Sequence, residues 1–221
     1  MKPLDQSKFR LPPDLLERVL ALDPGGRRRC LVAIAGTPAG GKSTLAAALT
    51  EALIARGVAA ANVPMDGFHL DNGLLDQKGL RPRKGAPETF DGAGFVALMR
   101  RLLTEDDVVY PVFDRAQDQA IAGAGRVPAE CRTVIVEGNY LLFDEAPWRA
   151  LTDLWDLSVW VETSEETVIA RCVQRWLDHG HGPDAARARA ESNDLPNARR
   201  IMRARLAADV TVPERQSADV T

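Results

Sequence analysis

The chain has 221 residues, 45% of them hydrophobic and 27% charged, with a formal net charge of −3. That is ordinary globular composition, which excludes wholesale disorder, and the length fits one domain over residues 1–221 with a small lid. No apolar run approaches the ~18 residues a membrane-spanning helix needs, and the acidic balance gives nucleic-acid binding no support. The start MKPLDQSKFRLPPDLL has no continuous apolar stretch, so no secretory signal is expected. Three scattered cysteines, Cys30, Cys131 and Cys172, argue against a disulfide framework and for a cytoplasmic protein.

Taken in chain order, Pro12–Leu22 carries Leu15, Leu16, Val19 and Leu20 at helical spacing, and Asp23-Pro24-Gly25-Gly26 ends that helix. Arg27-Arg28-Arg29 reads as a solvated approach, completing an N-terminal segment over 1–29. A buried strand is predicted at Cys30–Ala35, a long helix from Lys42 to Arg56, and a second strand at Val58–Met65. Residues 67–92, rich in Gly, Pro and charge, read as a mostly irregular acceptor-side loop. A helix over Gly94–Leu103 and a strand at Val108–Phe113 follow, and 114–130 reads as irregular. Further strands are predicted at Thr133–Val136, Ser158–Glu162 and Asp209–Val212. A helix capped by Thr163-Ser164 runs to Asp178, and His179-Gly180-His181-Gly182-Pro183 breaks it. Strands alternating with helices predict an α/β protein with a mainly parallel sheet.

The strongest signal is Gly36-Thr37-Pro38-Ala39-Gly40-Gly41-Lys42-Ser43, which fits G-x-x-x-x-G-K-[ST] between a strand and a helix. Composition predicts roughly 0.002 accidental matches in a chain this long. The glycines let successive backbone N–H groups converge on phosphate oxygens, and the helix opening at Lys42 adds its positive end. Lys42 would neutralise β/γ-phosphate charge, Ser43 would ligate Mg²⁺, and Thr44 would complete the cradle. A nucleoside triphosphate, ATP with Mg²⁺, is the expected ligand.

Two acids stand just past buried strands, where a parallel sheet places its functional edge: Glu137 after Val136 and Asp66 after Met65. Glu137 fits an Mg²⁺-ordering acid or a helix-capping carboxylate. Asp66 fits a base for an attacking hydroxyl, a further metal ligand, or a turn residue before Gly67. The absence of N-K-x-D disfavours a GTPase, and the absence of L-S-G-G-Q disfavours a transport ATPase subunit. A small-molecule kinase remains, with a nucleotide-driven regulatory switch as the alternative.

At this level the chain resembles the phosphoribulokinase/uridine kinase/pantothenate kinase group, and within it bacterial fructose-transport-system or nucleoside-kinase-like proteins. The resemblance rests on VAIAGTPAGGKST (Val32–Thr44), PMDGFHLDN (Pro64–Asn72), RKGAPETFD (Arg83–Asp91), YPVFDR (Tyr110–Arg115), VIVEGNYLL (Val134–Leu142) and NDLPNAR (Asn193–Arg199). It implies a P-loop three-layer αβα sandwich with a small helical lid over 171–200 and, in many such proteins, a homodimer. It implies Asp66 as catalytic base, Glu137 as the second acid near Mg²⁺, and Phe113-Asp114-Arg115 as acceptor-pocket lining. Relatives often carry Tyr at the first and His at the third of these positions, which leaves the specific acceptor open; the resemblance favours a sugar such as fructose, with a nucleoside or a vitamin precursor such as pantothenate as the alternative. Arg171 and Arg175 fall on the helix whose arginines close over phosphates.

The lid has independent support, because residues 171–205 hold eight arginines against four acids in an otherwise acidic chain. Arg187 is expected on its solvated face. His69 reads equally as substrate contact or loop hydrogen-bonder. Arg81, Arg83 and Lys84 would recognise an anionic acceptor or keep their loop soluble. His179 and His181 have zinc-like spacing without a third ligand, and a lid turn is the simpler reading. Trp148, Trp155, Trp160 and Trp176 read as packing residues.

Overall fold

The computed structural model describes residues 11–214. The absent-signal reading and the start of the 1–29 segment therefore fall partly outside the described residues. Five strands form one parallel sheet: β1 (Cys30–Gly36), β2 (Ala60–Pro64), β5 (Thr133–Gly138), β6 (Leu157–Val161) and β7 (Val210–Val212). Their order is β2-β5-β1-β6-β7.

The central strands β1, β5 and β6 are buried along their whole length because both faces are covered, as a parallel sheet requires. Alternation in β1 divides the core in two. Leu31, Ala33 and Ala35 face one cluster, which holds Phe95, Met99 and Leu102 of α4 (Gly92–Thr104). Val32 and Ile34 face the other, with Leu15 and Val19 of α1 (Leu15–Leu20) and Leu45, Leu49 and Leu53 of α2 (Lys42–Ala55). The result is a three-layer α/β sandwich, as expected.

Two segments are more ordered than the sequence suggests. The stretch 67–92 contains α3 (Asn72–Gln77) and short 3-10 turns at Met65–Phe68, Arg81–Arg83 and Pro87–Thr89. Residues 114–130, expected to be irregular, contain β4 (Gln119–Val127), which pairs antiparallel with β3 (Val108–Asp114). The Ala- and Gly-rich stretch of β4 has little intrinsic strand preference, so cross-strand pairing with β3 decides its conformation.

Beyond β6 the chain forms α5 (Glu165–Asp178), α6 (Pro183–Arg189), a π-helical turn Ala190–Asp194 and α7 (Leu195–Arg203). Ser164 caps α5 by accepting from the Thr167 N–H at 3.3 Å. No helix among the described residues is long and apolar enough to cross a membrane.

Arg29 corrects the reading of a solvated approach. Its side chain is 0% exposed. Its guanidinium donates to the carbonyls of Leu102 (2.7 Å), Glu105 (2.8 Å), Asp106 (2.7 Å), Pro128 (3.3 Å) and Cys131 (3.3 Å). Burial lowers its pKa, and the ring of carbonyls provides the polar partners a buried cation needs. Arg27 pairs with Asp156 and Arg28 with Asp106.

Candidate active site

The phosphate-binding loop joins β1 to α2 at the C-terminal edge of the sheet. Gly41 caps α2 with φ 92°, a left-handed conformation suited to glycine. A Cβ on Gly40 would lie 2.8 Å from Thr163 Oγ1, so only glycine leaves the loop this close to the next strand's end. Ala39 also has positive φ, 56°, an unfavourable conformation of the kind found at functional sites.

Lys42 is 6% exposed, and its Nζ donates to the Thr37 carbonyl at 2.8 Å. Burial holds its pKa below the usual lysine value, opposed by Glu137 and Asp66. Ser43 Oγ donates to Glu137 Oε1 at 3.0 Å. Glu137 is buried where β5 lies between β1 and β2, in register with Ile34 and Pro64. Burial, and then the nearby Asp66, push its carboxyl pKa up.

Asp66 sits in the 3-10 turn that follows β2, with its Oδ2 2.8 Å from Arg115 Nη2. His69 Nδ1 lies 2.8 Å from the Asp66 carbonyl, and its ring is held between Phe90 (centroids 4.0 Å apart) and Phe113 (4.7 Å). Burial lowers the His69 pKa, against the opposing pull of Asp66. Lys84 Nζ donates to Asn72 Oδ1 (2.7 Å), the Asp118 carbonyl (2.9 Å) and Asp118 Oδ1 (2.8 Å). All three of its protons are thereby used, so Lys84 ties the β3–β4 turn to α3.

A cavity of about 840 Å³ brings these groups together: Pro38, Ala39, Lys42, Ser43, Glu137 and Arg175 border it on the phosphate side. Asp66, His69, Lys84, Phe113 and Arg115 line the same cavity. Arg83 and Asp114 do not line it. Arg83 turns to Asn197 Oδ1 (3.3 Å), and the Asp114 carboxylate is occupied by the N–H groups of Ala116 and Gln117 at 2.8 and 3.1 Å. Arg171 lies elsewhere too, in a separate groove of about 370 Å³ with Gly40, Gly41, Thr44, Val161, Val212 and Pro213. Its Nη1 donates to the Ala39 carbonyl at 3.2 Å.

Among the wall residues not expected from sequence, Trp176 and Asp194 stand together. Trp176, expected to be a packing residue, lines the cavity between Arg175 and Arg189, whose guanidinium carbons lie 5.2 and 5.1 Å from its ring. Its Nε1 donates to Asp194 Oδ2 at 2.7 Å, and Asp194 Oδ1 accepts from Arg175 Nη2 at 2.9 Å. The Asn193-Asp194 pair opens the stretch NDLPNAR (Asn193–Arg199), in which no spacing of chemistry-bearing residues marks a site. His179 and His181 border the cavity beside Trp176. Among the described residues no group of three His, Cys, Asp or Glu is arranged to hold a metal.

A family model described as the Phosphoribulokinase / Uridine kinase family matches residues 31–221. The chain belongs to this family. A structure from Silicibacter sp. TM1040, provisionally named a fructose transport system kinase, is 57% identical with a TM-score of 0.87, covering 90% of this chain and 97% of that one. The uncharacterized protein YggC of Escherichia coli (strain K12) is 36% identical over 80% of this chain and 74% of its own length. A pantothenate kinase of Sorangium cellulosum is 32% identical over 70% of this chain, and the match spans about half of that enzyme, 52%. The chain is accordingly a small-molecule phosphotransferase of the P-loop kinase class, and such kinases use ATP with Mg²⁺.

The residues present suit that pair of ligands. Arg175 Nε is buried without a hydrogen-bond partner at the cavity wall, a donor left for an anionic group. Ser43 Oγ and the Glu137 carboxylate supply the few hard oxygens that Mg²⁺ takes from protein when phosphates and water complete its shell.

Proposed function

We propose that this family member is a cytoplasmic ATP-dependent sugar kinase that transfers the γ-phosphate to a hydroxyl of a small sugar such as fructose. The observation that carries the transfer is the shared cavity of about 840 Å³, which Asp66 lines together with Lys42, Ser43 and Glu137. That volume is within the range of small-molecule sites. The likeness at 57% identity to the provisionally named fructose transport system kinase supports the sugar, and three free, buried thiols are in keeping with a reducing compartment.

The chemistry follows from the placement. Asp66 accepts the proton of the acceptor hydroxyl, the hydroxyl oxygen bonds to the γ-phosphorus, and the bond to the β–γ bridging oxygen breaks to release ADP. Lys42 and Arg175 supply fixed positive charge where negative charge shifts toward the leaving group. Ser43 and Glu137 would hold Mg²⁺, which would supply neutralisation of phosphate charge. His69, held between the rings of Phe90 and Phe113, shapes the acceptor side with Arg115. The groove beside Arg171 offers the base of ATP apolar walls at Val161, Val212 and Pro213.

The test is ADP release from Mg-ATP with fructose, other neutral sugars, nucleosides and pantothenate offered separately. Turnover that depends on a neutral sugar supports the proposal, whereas dependence on a nucleoside or pantothenate refutes the sugar assignment. Release indifferent to every acceptor refutes the kinase reading in favour of a regulatory ATPase.

A further inference from the structure

We propose that the π-helical turn Ala190–Asp194 links the acceptor side of the cavity to the lid, with Asp194 as the residue that positions Arg175. The proposal rests on the reading of the cavity as a nucleotide and acceptor site.

Asn193 and Asp194 are 2% and 6% exposed, and Asn197 one turn later is 2% exposed. Polar side chains this deeply buried cost free energy unless bonded, so their partners show what holds the turn in place. Asp194 spends both carboxylate oxygens on α5: one on Arg175 Nη2 at 2.9 Å, the other on Trp176 Nε1 at 2.7 Å. Asn193 points to the other wall, where its Nδ2 donates to the Lys84 carbonyl at 2.9 Å. Asn197 Nδ2 lies 3.4 Å from Asn193 Oδ1, and Asn197 Oδ1 accepts from Arg83 Nη2 at 3.3 Å.

A second strut runs parallel to this one. Arg189 donates to the Pro82 carbonyl at 3.1 Å while its guanidinium lies against Trp176. Loop 82–84 therefore reaches the α5 end of the lid through two adjacent residues of one backbone turn and through one arginine. Helices with an extra residue in the turn occur frequently at functional sites.

The consequence is mechanical. Arg175 brings an unpartnered buried Nε to the cavity and is anchored at its Nη2 end by Asp194. A shift of loop 82–84 is passed by Asn193 to its neighbour Asp194, and Asp194 moves the guanidinium. The same link carries the effect in reverse, since coupling between two sites is reciprocal. Nucleotide on the phosphate side therefore steadies the acceptor loop before any acceptor arrives.

Hydrogen exchange of the full chain, with and without saturating β,γ-methylene-ATP and Mg²⁺, tests this without knowledge of the acceptor. In the unmodified chain the analogue is expected to slow exchange of the amides at 80–90 by about threefold or more. Asp194→Asn keeps an acceptor for Trp176 but removes the charge facing Arg175. It should abolish the slowing at 80–90 while protection of the 36–44 loop persists at saturation. Asn193→Ala cuts the other end and leaves the Asp194–Arg175 pair in place, and it should give the same loss; it decides the matter if Asp194→Asn does not fold. Full loop slowing in either folded variant, or none in the unmodified chain at saturation, overturns the proposal. Failure of the analogue to protect the 36–44 loop overturns the nucleotide reading itself. Absence of acceptor-dependent turnover with the 80–90 slowing intact overturns only the kinase assignment.

Discussion

Ser43 Oγ and Glu137 Oε1 meet at 3.0 Å, joining the first turn of α2 to the end of β5. The contact sets a hydroxyl and a buried carboxylate beside the amine of Lys42, and all three border one cavity. The pair is where Mg²⁺ would enter. Glu137→Gln should raise the Mg²⁺ concentration for half-maximal activity by about tenfold to a hundredfold. Because burial already disfavours the Glu137 charge, the amide should leave thermal stability equal or higher. An unchanged Mg²⁺ titration curve would remove Glu137 from the metal site.

Substitutions at Lys42 and Asp66 should separate phosphate binding from proton transfer. Lys42→Ala should lower turnover at least about a hundredfold with the fold intact. Asp66→Asn should lower it by roughly 10²–10⁴ while ATP affinity stays nearly constant. Isothermal titration of each variant with ATP, beside steady-state rates, checks both. Near-normal activity in Lys42→Ala would defeat the phosphate-loop assignment, and a collapse of ATP binding in Asp66→Asn would make Asp66 a metal or structural residue.

The lid arginines should differ sharply from one another. Arg175 lines the cavity, whereas Arg187 is exposed and pairs with Glu191 at 2.9 Å. Arg175→Ala should reduce acceptor phosphorylation at least about tenfold and weaken ATP binding only modestly. Arg187→Ala should change neither by more than about twofold, as expected of a surface pair. Equal, small effects in both would reduce the arginine excess to surface charge.

Arg29 makes a prediction about stability alone. Arg29→Met removes the shared donor of five carbonyls and leaves them in the interior. The cost should be at least about 3 kcal/mol in urea unfolding. Because Arg29 precedes β1, at the opposite end of the sheet from the cavity, kcat per folded molecule should be unaffected. A stability loss near zero would show that water replaces the guanidinium without penalty.

The thiols predict an alkaline limit. Burial pushes Cys30 and Cys172 each up to about 11, and Cys131 upward too, from an ordinary value of 9.0. The folded chain therefore keeps thiol protons that the unfolded chain gives up, so stability falls as pH rises above 9 toward 11. At pH 8 a thiol with a pKa near 11 is about 0.1% thiolate, and iodoacetamide should label the folded protein far more slowly than the unfolded one. Rapid labelling of Cys172 in the folded state would mean that the lid opens to solvent.

Much of the site was legible because its chemistry is local in the chain. The phosphate loop is eight consecutive residues between an apolar strand and a helix, so neighbouring backbone geometry alone creates its function. Glu137 and Asp66 could be placed because a parallel sheet collects strand ends at one edge, and of the readings open for Asp66 the family resemblance favours the base. The α/β alternation was equally plain, since periodicity reports burial on one or two faces.

What remained hidden depends on partners far away in sequence. The Ala- and Gly-rich β4 becomes a strand only by pairing with β3. Arg29 looks like surface charge until carbonyls from residues 102–131 surround it. Lys84 reads as a free cation until Asn72 and Asp118 take its protons, and Asp114 reads as pocket lining until its own turn claims the carboxylate. Arg171 and Arg175 share a helix, yet packing sends one to a second groove and the other to the cavity. Trp176 and Asp194 acquire meaning only together, where the buried carboxylate meets a half-buried indole and guanidinium of α5. Sequence alone determined which backbone can hold phosphate and where strand ends place acids. Tertiary structure decided which charges are free to act, because the partners that neutralise a charge are chosen by packing in space and not by order along the chain.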